Sequence, residues 1–146
     1  MKNCAISELL IQLTDKCADA QNKIKEKFGL TDSEYKCICV FESGESVLKC
    51  EELAGKMKLS VSRASRVISN MTKKKYLSAV TDKTNRRCLK IKLTAAGMNI
   101  KKKIDNMKSE CEEKILFNLP ESQHCSIRNN LKLLINSFQN KMEDEY

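Results

Sequence analysis

The sequence lacks tryptophan and has little proline, glycine, histidine or aromatic residue of any kind. Its 146 residues include one Pro, four Gly and one His, and aromatic residues make up 5%. So little proline and glycine disfavours turn-rich β-sandwiches and barrels and favours long helices. A single histidine, His124, excludes most histidine-rich metal sites and any mechanism that needs two imidazoles.

Long apolar runs are also missing. No stretch of about 18 apolar residues occurs, which excludes a transmembrane helix. Glu8 and Asp15 interrupt the apolar stretch near the N-terminus, so we expect no signal peptide and a cytoplasmic location. Hydrophobic residues still make up 41% of the chain, which is enough for one folded domain with its own core.

Positive charge is concentrated in the middle of the chain. The 27 Lys and Arg outnumber the 19 Asp and Glu, giving a net charge of +8. Residues 49–103 hold sixteen Lys and Arg and three acidic residues, a difference of +13, which leaves −5 for the rest. A basic block between acidic ends favours a surface that binds a polyanion. The alternative is a lysine-rich surface that serves only solubility.

The eight cysteines form no familiar site. Without an export signal a disulfide framework is not expected, and no pair has the Cys-x-x-Cys spacing of zinc ribbons, thioredoxin-like sites or ferredoxins. We therefore expect most of them to be small buried hydrophobes in a reducing cytosol, and no cofactor. The alternatives are a thiol-based redox sensor, or a metal or Fe–S site assembled across a dimer. The candidate redox-sensing residues are Cys4, Cys17 and Cys88.

Apolar spacing predicts a mainly helical (α+β) chain with the element order α-α-β-α-α-β-β-α-α. A helix over 4–28 ends at Gly29, and Thr31 with Glu34 forms a capping box that begins a helix over 32–43. A short edge strand at 47–49 precedes helices over 50–58 and 61–74. Strands over 76–82 and 88–93 form a hairpin, with Leu89, Ile91 and Leu93 on one face. Two long helices follow, from 95 to 117 and from 121 to 142.

Two short helices joined by a tight turn are typical of a helix-turn-helix, and the hairpin makes it a winged one. Ser60 is a suitable N-cap for the second of these helices. Its predicted inward face is Val61, Ala64, Val67, Ile68 and Met71. The candidate DNA-binding residues at its N-cap and on its polar face are Ser60, Ser62, Arg63, Ser65, Arg66, Ser69, Asn70 and Lys73.

These residue types suit a DNA duplex. Arg63 and Arg66 lie one turn apart and can pair with guanine O6 and N7, while Asn70 suits adenine or a phosphate. Lysines 73–75 and Lys83 are expected to contact the phosphate backbone. The hairpin tip supplies further candidates for DNA binding, and an arginine there suits the negative potential of the minor groove. They are Lys83, Asn85, Arg86 and Arg87.

The terminal helices predict a dimer. Residues 1–30 and 95–146 form helices too long to be buried by a DNA-binding domain of residues 31–94. We expect their apolar seams to be covered by a second copy in a twofold dimer. Such a dimer presents two recognition helices to successive major grooves of double-stranded DNA.

Five short motifs carry a resemblance to a known family. They are Leu30-Thr31-x-x-x-Tyr35, Glu52-Leu53-Ala54, Leu59-Ser60-x-Ser62, Met71-x-Lys73-Lys74-x-Tyr76-Leu77 and Asn85-Arg86-Arg87-x-x-x-Ile91-x-Leu93-Thr94-x-x-Gly97. On these motifs the sequence resembles the MarR family of bacterial transcriptional regulators. It departs from the family pattern at Asn85, where the family has Asp, and at Lys75, where Gly is common, so the turn into the wing is expected to differ.

The resemblance implies a winged-helix homodimer, usually a repressor, that leaves a pseudo-palindromic operator on binding a small aromatic effector or on thiol oxidation. Two alternatives stay open beside a specific regulator. One is a thiol- or Fe–S-based sensor whose cysteines gate DNA binding, and the other is a non-specific architectural binder. An enzyme is not expected, because the sequence has no catalytic Ser/His/Asp or Cys/His set, phosphate loop or apolar carboxylate pair.

Overall fold

The computed structural model describes residues 4–42, 46–81, 83–84 and 89–143. The elements follow the predicted order, with helices that dominate and a small antiparallel sheet. They are α1 (Ile6–Phe28), α2 (Asp32–Val40), β1 (Val47–Lys49), α3 (Cys50–Met57), α4 (Val61–Lys73), β2 (Leu77–Thr81), β3 (Leu89–Leu93), α5 (Ala95–Phe117) and α6 (Glu121–Glu143). The predicted fold class, a mainly helical winged helix-turn-helix, is confirmed.

Local signals set the boundary between α1 and α2. Gly29 ends α1 in the left-handed conformation, at φ 62°. The Thr31 hydroxyl then accepts a hydrogen bond from the Glu34 N–H at 3.2 Å, and the Glu34 carboxylate accepts one from the Thr31 N–H at 3.0 Å. The predicted capping box is therefore present. Helix α2 ends at Val40, earlier than the predicted residue 43, because Phe41 leaves the helix with extended backbone and is fully buried.

The sheet has the strand order β1-β3-β2, and both pairs are antiparallel. Leu77 lies opposite Leu93, and Ile91 lies between Leu48 and Ala79. Ile91 and Leu93 are buried as predicted, but Leu89 is 37% exposed. Leu89 lies at the start of β3, toward the hairpin tip and away from the core.

The core lies where α2, α3, α4 and the sheet meet, joined by the ends of α1 and α5 that adjoin them. Its fully buried side chains fix the back of α4 and so determine which face of that helix remains outside. The largest of them are Ile38, Phe41, Leu53, Met71, Leu77, Ile91 and Ile104.

By its internal contacts the chain divides into two compact units, residues 1–107 and 108–146. In the second unit, Nε2 of His124 lies 3.0 Å from the Leu116 carbonyl oxygen and 3.1 Å from that of Leu119. The start of α6 is thereby tied to the end of α5. Large apolar side chains on α6 are exposed, namely Leu131, Leu133, Ile135 and Phe138. None of the described helices has the length and apolar character needed to cross a membrane.

Candidate nucleic-acid interface

Helices α3 and α4 form the predicted helix-turn-helix, with residues 58–60 as the turn. Lys58 ends α3 in the left-handed conformation, at φ 55°. The Ser60 hydroxyl accepts a hydrogen bond from the Arg63 N–H at 3.3 Å, which makes Ser60 the N-cap of α4 as predicted. The left-handed backbone of Lys58 therefore fixes the start of the turn, and the hydrogen bond to the Ser60 hydroxyl fixes its end.

Helix α4 is strongly two-sided. Ala64, Ile68 and Met71 are buried and Val67 is partly buried, as predicted. Val61 was predicted to face inward but is 53% exposed, because it begins the first turn, ahead of the packed part of the helix. The predicted polar residues are all exposed: Ser60, Ser62, Arg63, Ser65, Arg66, Ser69, Asn70 and Lys73. The structure thus gathers every described candidate of α4 on its solvent side.

The guanidinium groups of α4 are available for a ligand. Arg63 and Arg66 are exposed and have no ion-pair partner among the described residues. Three residues apart, they lie on neighbouring positions of one helix face, and Asn70 follows Arg66 by four. Two arginines and an amide at this spacing can read donors and acceptors of successive base pairs.

The C-terminal end of α4 contains an interaction that the sequence did not reveal. Nζ of Lys74 lies 2.7 Å from Oε2 of Glu34, a carboxylate that is 5% exposed, and 3.4 Å from the Gly29 carbonyl oxygen. Burial alone would raise the pKa of Glu34, but the hydrogen bonds from Lys74 and the Thr31 N–H lower it below its ordinary value. Lys74 therefore holds the end of α4 to the start of α2, 40 residues earlier. Its predicted role as a phosphate contact does not fit this pairing.

The turn after α4 keeps its geometry despite the substitution for glycine. Lys75 adopts φ 65°, and the Tyr76 N–H donates to the Met71 carbonyl at 3.0 Å, which closes the turn. The expectation that lysine changes this turn is therefore wrong, since lysine itself takes the left-handed conformation.

The start of α5 clamps this turn. The Thr94 hydroxyl donates to the Lys75 carbonyl at 2.6 Å and accepts from the Gly97 N–H at 3.1 Å, while the Thr94 N–H donates to the Tyr76 carbonyl at 3.0 Å. A Cβ atom on Gly97 would lie 2.1 Å from that Tyr76 oxygen. The Thr-x-x-Gly motif therefore permits a close approach of α5 to the chain between α4 and β2.

The wing consists of β2, β3 and the segment between them. Lys83 is exposed, as a phosphate-contacting residue requires. The other predicted tip residues, Asn85, Arg86 and Arg87, lie outside the described residues, as does Cys88. Lys90 and Lys92 alternate with buried Ile91 on β3 and are exposed, so the solvent face of the described part of the wing is basic.

The prediction that most cysteines are buried is wrong for the single chain. Of the seven described, only Cys37 is buried, where desolvation raises the pKa of its thiol to about 12. Cys4, Cys17 and Cys125 are exposed. The Cys4 thiol donates to a Glu8 carboxylate oxygen at 3.1 Å, and this bond, helped by slight desolvation, raises its pKa. Among the described residues no three His, Cys, Asp or Glu side chains are grouped to hold a metal ion.

No family model and no curated protein sequence matches the chain. Solved structures do match it. Wild-type MarR from E. coli in its apo form has a TM-score of 0.74 at 15% identity, covering 92% of this chain and 98% of that one. A mutant of S. aureus MepR bound to an oligodeoxyribonucleotide has 0.66 at 17%, covering 93% and 99%. NadR in complex with 4-hydroxyphenylacetate has 0.68 at 19%, covering 92% and 94%.

These likenesses run over nearly the whole of each chain, whereas the identities are low. They establish the fold: the chain has the winged helix-turn-helix architecture of MarR, MepR and NadR. The winged-helix fold that the sequence motifs implied is thus matched by the three-dimensional structure.

Proposed function

We propose that the protein is a sequence-specific DNA-binding transcriptional regulator of the MarR type, and not an enzyme. The observation that carries this proposal is the arrangement of side chains on the two sides of α4. Its buried side is fixed in the core, its other side is polar and exposed, and Arg63 and Arg66 have no ion-pair partner among the described residues. A surface of this kind can bind bases and phosphates without first breaking an internal ion pair, and new charged hydrogen bonds offset the cost of desolvating the guanidinium groups.

The basic charge around α4 supports DNA over other polyanions. The +13 segment, residues 49–103, contains α4 and both strands of the wing, so the helix that would read bases lies within the basic part of the chain. Phosphate contacts from lysines fix position on a duplex, whereas base contacts supply specificity. We therefore propose that Lys73 and Lys83 bind phosphates and that Arg63 and Arg66 recognise bases.

The exposed apolar side chains support a homodimer. Ile6, Leu9, Ile11 and Leu13 on α1 are 47–64% exposed, and Phe138 on α6 is 59% exposed. Leaving so many large apolar groups in water is unfavourable by about 25 cal/mol per Å². A second copy would cover these helices and place two recognition helices on one pseudo-palindromic operator.

Repression and release by a small aromatic effector are the proposed regulatory mode. NadR, which shares the fold, was solved with 4-hydroxyphenylacetate. The thiol alternative is weaker at Cys4, because its bond to Glu8 stabilises the protonated thiol, whereas the thiolate is the reactive form. If thiol oxidation gates DNA binding, Cys17 or Cys88 is the better candidate.

Substitution of the two arginines tests the base-reading role. We expect Arg63→Ala or Arg66→Ala to cost about 1–3 kcal/mol on a selected cognate duplex and to relax base preference locally. Lys102→Ala, which removes an exposed positive charge of α5 outside the helix-turn-helix, is the matched control and should change affinity little. The assay is fluorescence anisotropy on cognate and scrambled duplexes. If both arginine variants distinguish the cognate from the scrambled duplex as well as wild type does, these two arginines of α4 do not read bases.

Substitution on α6 tests the dimer. Phe138→Asp should weaken self-association at least tenfold, because a carboxylate would have to be buried against the partner chain. Lys132→Ala on the same helix serves as the control. Sedimentation velocity measures both across a concentration series. A Phe138→Asp protein that sediments as a tight dimer would contradict the role given to α6.

A further inference from the structure

Three helices of the described chain end in the same way, but not with the same residue. A residue with positive φ follows each helix, directly after α1 and α3 and one position later after α4, where Lys74 intervenes at φ −73°. The N–H that follows this residue donates to the carbonyl five residues earlier. These donors are Leu30, Leu59 and Tyr76, at 2.9, 3.0 and 3.0 Å. The left-handed residues are Gly29 at φ 62°, Lys58 at 55° and Lys75 at 65°.

Glycine is the residue that such a turn favours. It reaches positive φ without steric cost, whereas a side chain places Cβ too close to the following carbonyl oxygen. The turn after α1 has glycine. The two turns with lysine are the ones that flank α4, and Lys58 and Lys75 are the only described residues other than glycine with positive φ. Strained backbone of this kind is held in place by the surrounding structure and is concentrated at functional sites.

Both lysines are exposed, and neither has an ion-pair partner among the described residues. The adjacent Lys74 differs, because it is bound to Glu34 at 2.7 Å. The 13 residues of α4 span about 20 Å, at 1.5 Å per residue, and the major groove is about 12 Å wide. Side chains at the two ends of such a helix therefore meet the walls of the groove, where the phosphates lie.

We infer that Lys58 and Lys75 are a pair of phosphate-binding residues, one at each end of α4, that grip the two backbones bordering the groove. This inference rests on the proposed function, since it adds Lys58 to the same interface and pairs it with Lys75, one of the lysines already expected to contact phosphates. Each turn fixes the backbone from which the ammonium group extends, so the contact sets how deeply α4 enters the groove. The strained conformation is retained because glycine would give an easier turn but no phosphate contact.

Replacing each lysine by glycine separates its effect on the stability of the turn from its effect on phosphate binding. The Lys58→Gly and Lys75→Gly proteins should be at least as thermostable as wild type, with Tm higher by about 2–4 °C as the strain is relieved. They should nevertheless bind a mixed-sequence 30-bp duplex about tenfold or more weakly at 0.1 M salt. Each change removes two phosphate contacts from a dimer, so the slope of log K against log salt should become shallower by about 1.8.

Three controls accompany the titration. Lys58→Arg and Lys75→Arg keep the charge and should retain the wild-type salt slope. Lys102→Gln removes an exposed lysine of α5, outside the helix-turn-helix, and should leave the slope unchanged. Gly29→Lys puts lysine into the third turn, where a Cβ has open space, and should lower Tm without tightening DNA binding.

The outcomes separate this inference from the proposed function. Wild-type affinity and salt slope in both glycine variants would overturn the inference and leave the proposed function intact. Weaker binding with a lower Tm that arginine does not restore would also overturn it, because the lysines would then act only on folding. A wild-type protein that binds no duplex would overturn both the inference and the proposed function, and this is measured before any variant is made.

Discussion

Gly97→Ala should destabilise the fold although alanine is the better helix former. Gly97 lies in the first turn of α5, where that helix approaches the chain leaving α4. An added Cβ would lie 2.1 Å from the Tyr76 carbonyl oxygen and 3.1 Å from Cδ2 of Leu93. The closest atom belongs to the backbone, and that oxygen already accepts the Thr94 N–H at 3.0 Å. The clash cannot be relieved by rotating a side chain, so α5 must move.

Two opposing terms decide the magnitude. Alanine gains about 0.5–1 kcal/mol over glycine inside a helix. Overpacking in a well-packed region costs about 1–3 kcal/mol, and here the displaced group also carries a hydrogen bond worth about 1 kcal/mol. The net expectation is a loss of about 1–3 kcal/mol, equivalent to a fall in Tm of several degrees for a chain of this size.

Gly55 in α3 provides the matched control. It is exposed and helical, and a Cβ there meets no atom within 4 Å. Gly55→Ala should therefore stabilise the protein by about 0.5–1 kcal/mol. Urea titrations followed by circular dichroism would give both free energies of unfolding. A Gly97→Ala protein as stable as wild type would contradict the close approach of α5 to the Tyr76 carbonyl. A Gly55→Ala protein less stable than wild type would contradict the open space around position 55 of α3.

Two further predictions concern the ends of α4. Ser60→Ala removes the side-chain acceptor for the Arg63 N–H and should cost about 1 kcal/mol in thermal or chemical unfolding, whereas Ser62→Ala, with no cap to lose, should change stability by less than about 0.5 kcal/mol. The second concerns pH. The folded state lowers the pKa of Glu34, so its pair with Lys74 stabilises the fold above the ordinary value of 4.5 and is lost as the pH falls through the folded-state pKa. The Glu34→Gln protein should therefore be less stable than wild type at neutral pH, and this difference in the free energy of unfolding should shrink below pH 4.5. A difference that stays constant between pH 3 and 7 would contradict the ion pair.

The order and approximate bounds of the elements could be predicted because their signals are local. The capping box of Thr31 and Glu34, the N-cap at Ser60 and the stop at Gly29 each act within a few residues. The polar face of α4 was predictable for the same reason, since helical periodicity alone separates Ala64 and Ile68 from the arginines.

What could not be predicted depends on contacts between distant segments. The pair of Lys74 with Glu34 joins residues 40 apart, and nothing near Lys74 distinguishes it from its neighbours Lys73 and Lys75. Lys101 is 8% exposed, with Nζ 3.0 Å from an Asp105 carboxylate oxygen. Its burial was not anticipated because lysine is rarely buried unless it is paired.

Sequence-specific DNA binding is tested most directly by the ratio of affinities for two duplexes. The reduced protein would be titrated by fluorescence anisotropy against the duplex enriched from a randomised pool and against a scrambled version, at several salt concentrations. We expect the enriched duplex to bind tighter by about three decades or more at physiological salt. Equal and steeply salt-dependent binding of both duplexes would contradict it and would reduce the basic segment to a non-specific electrostatic surface.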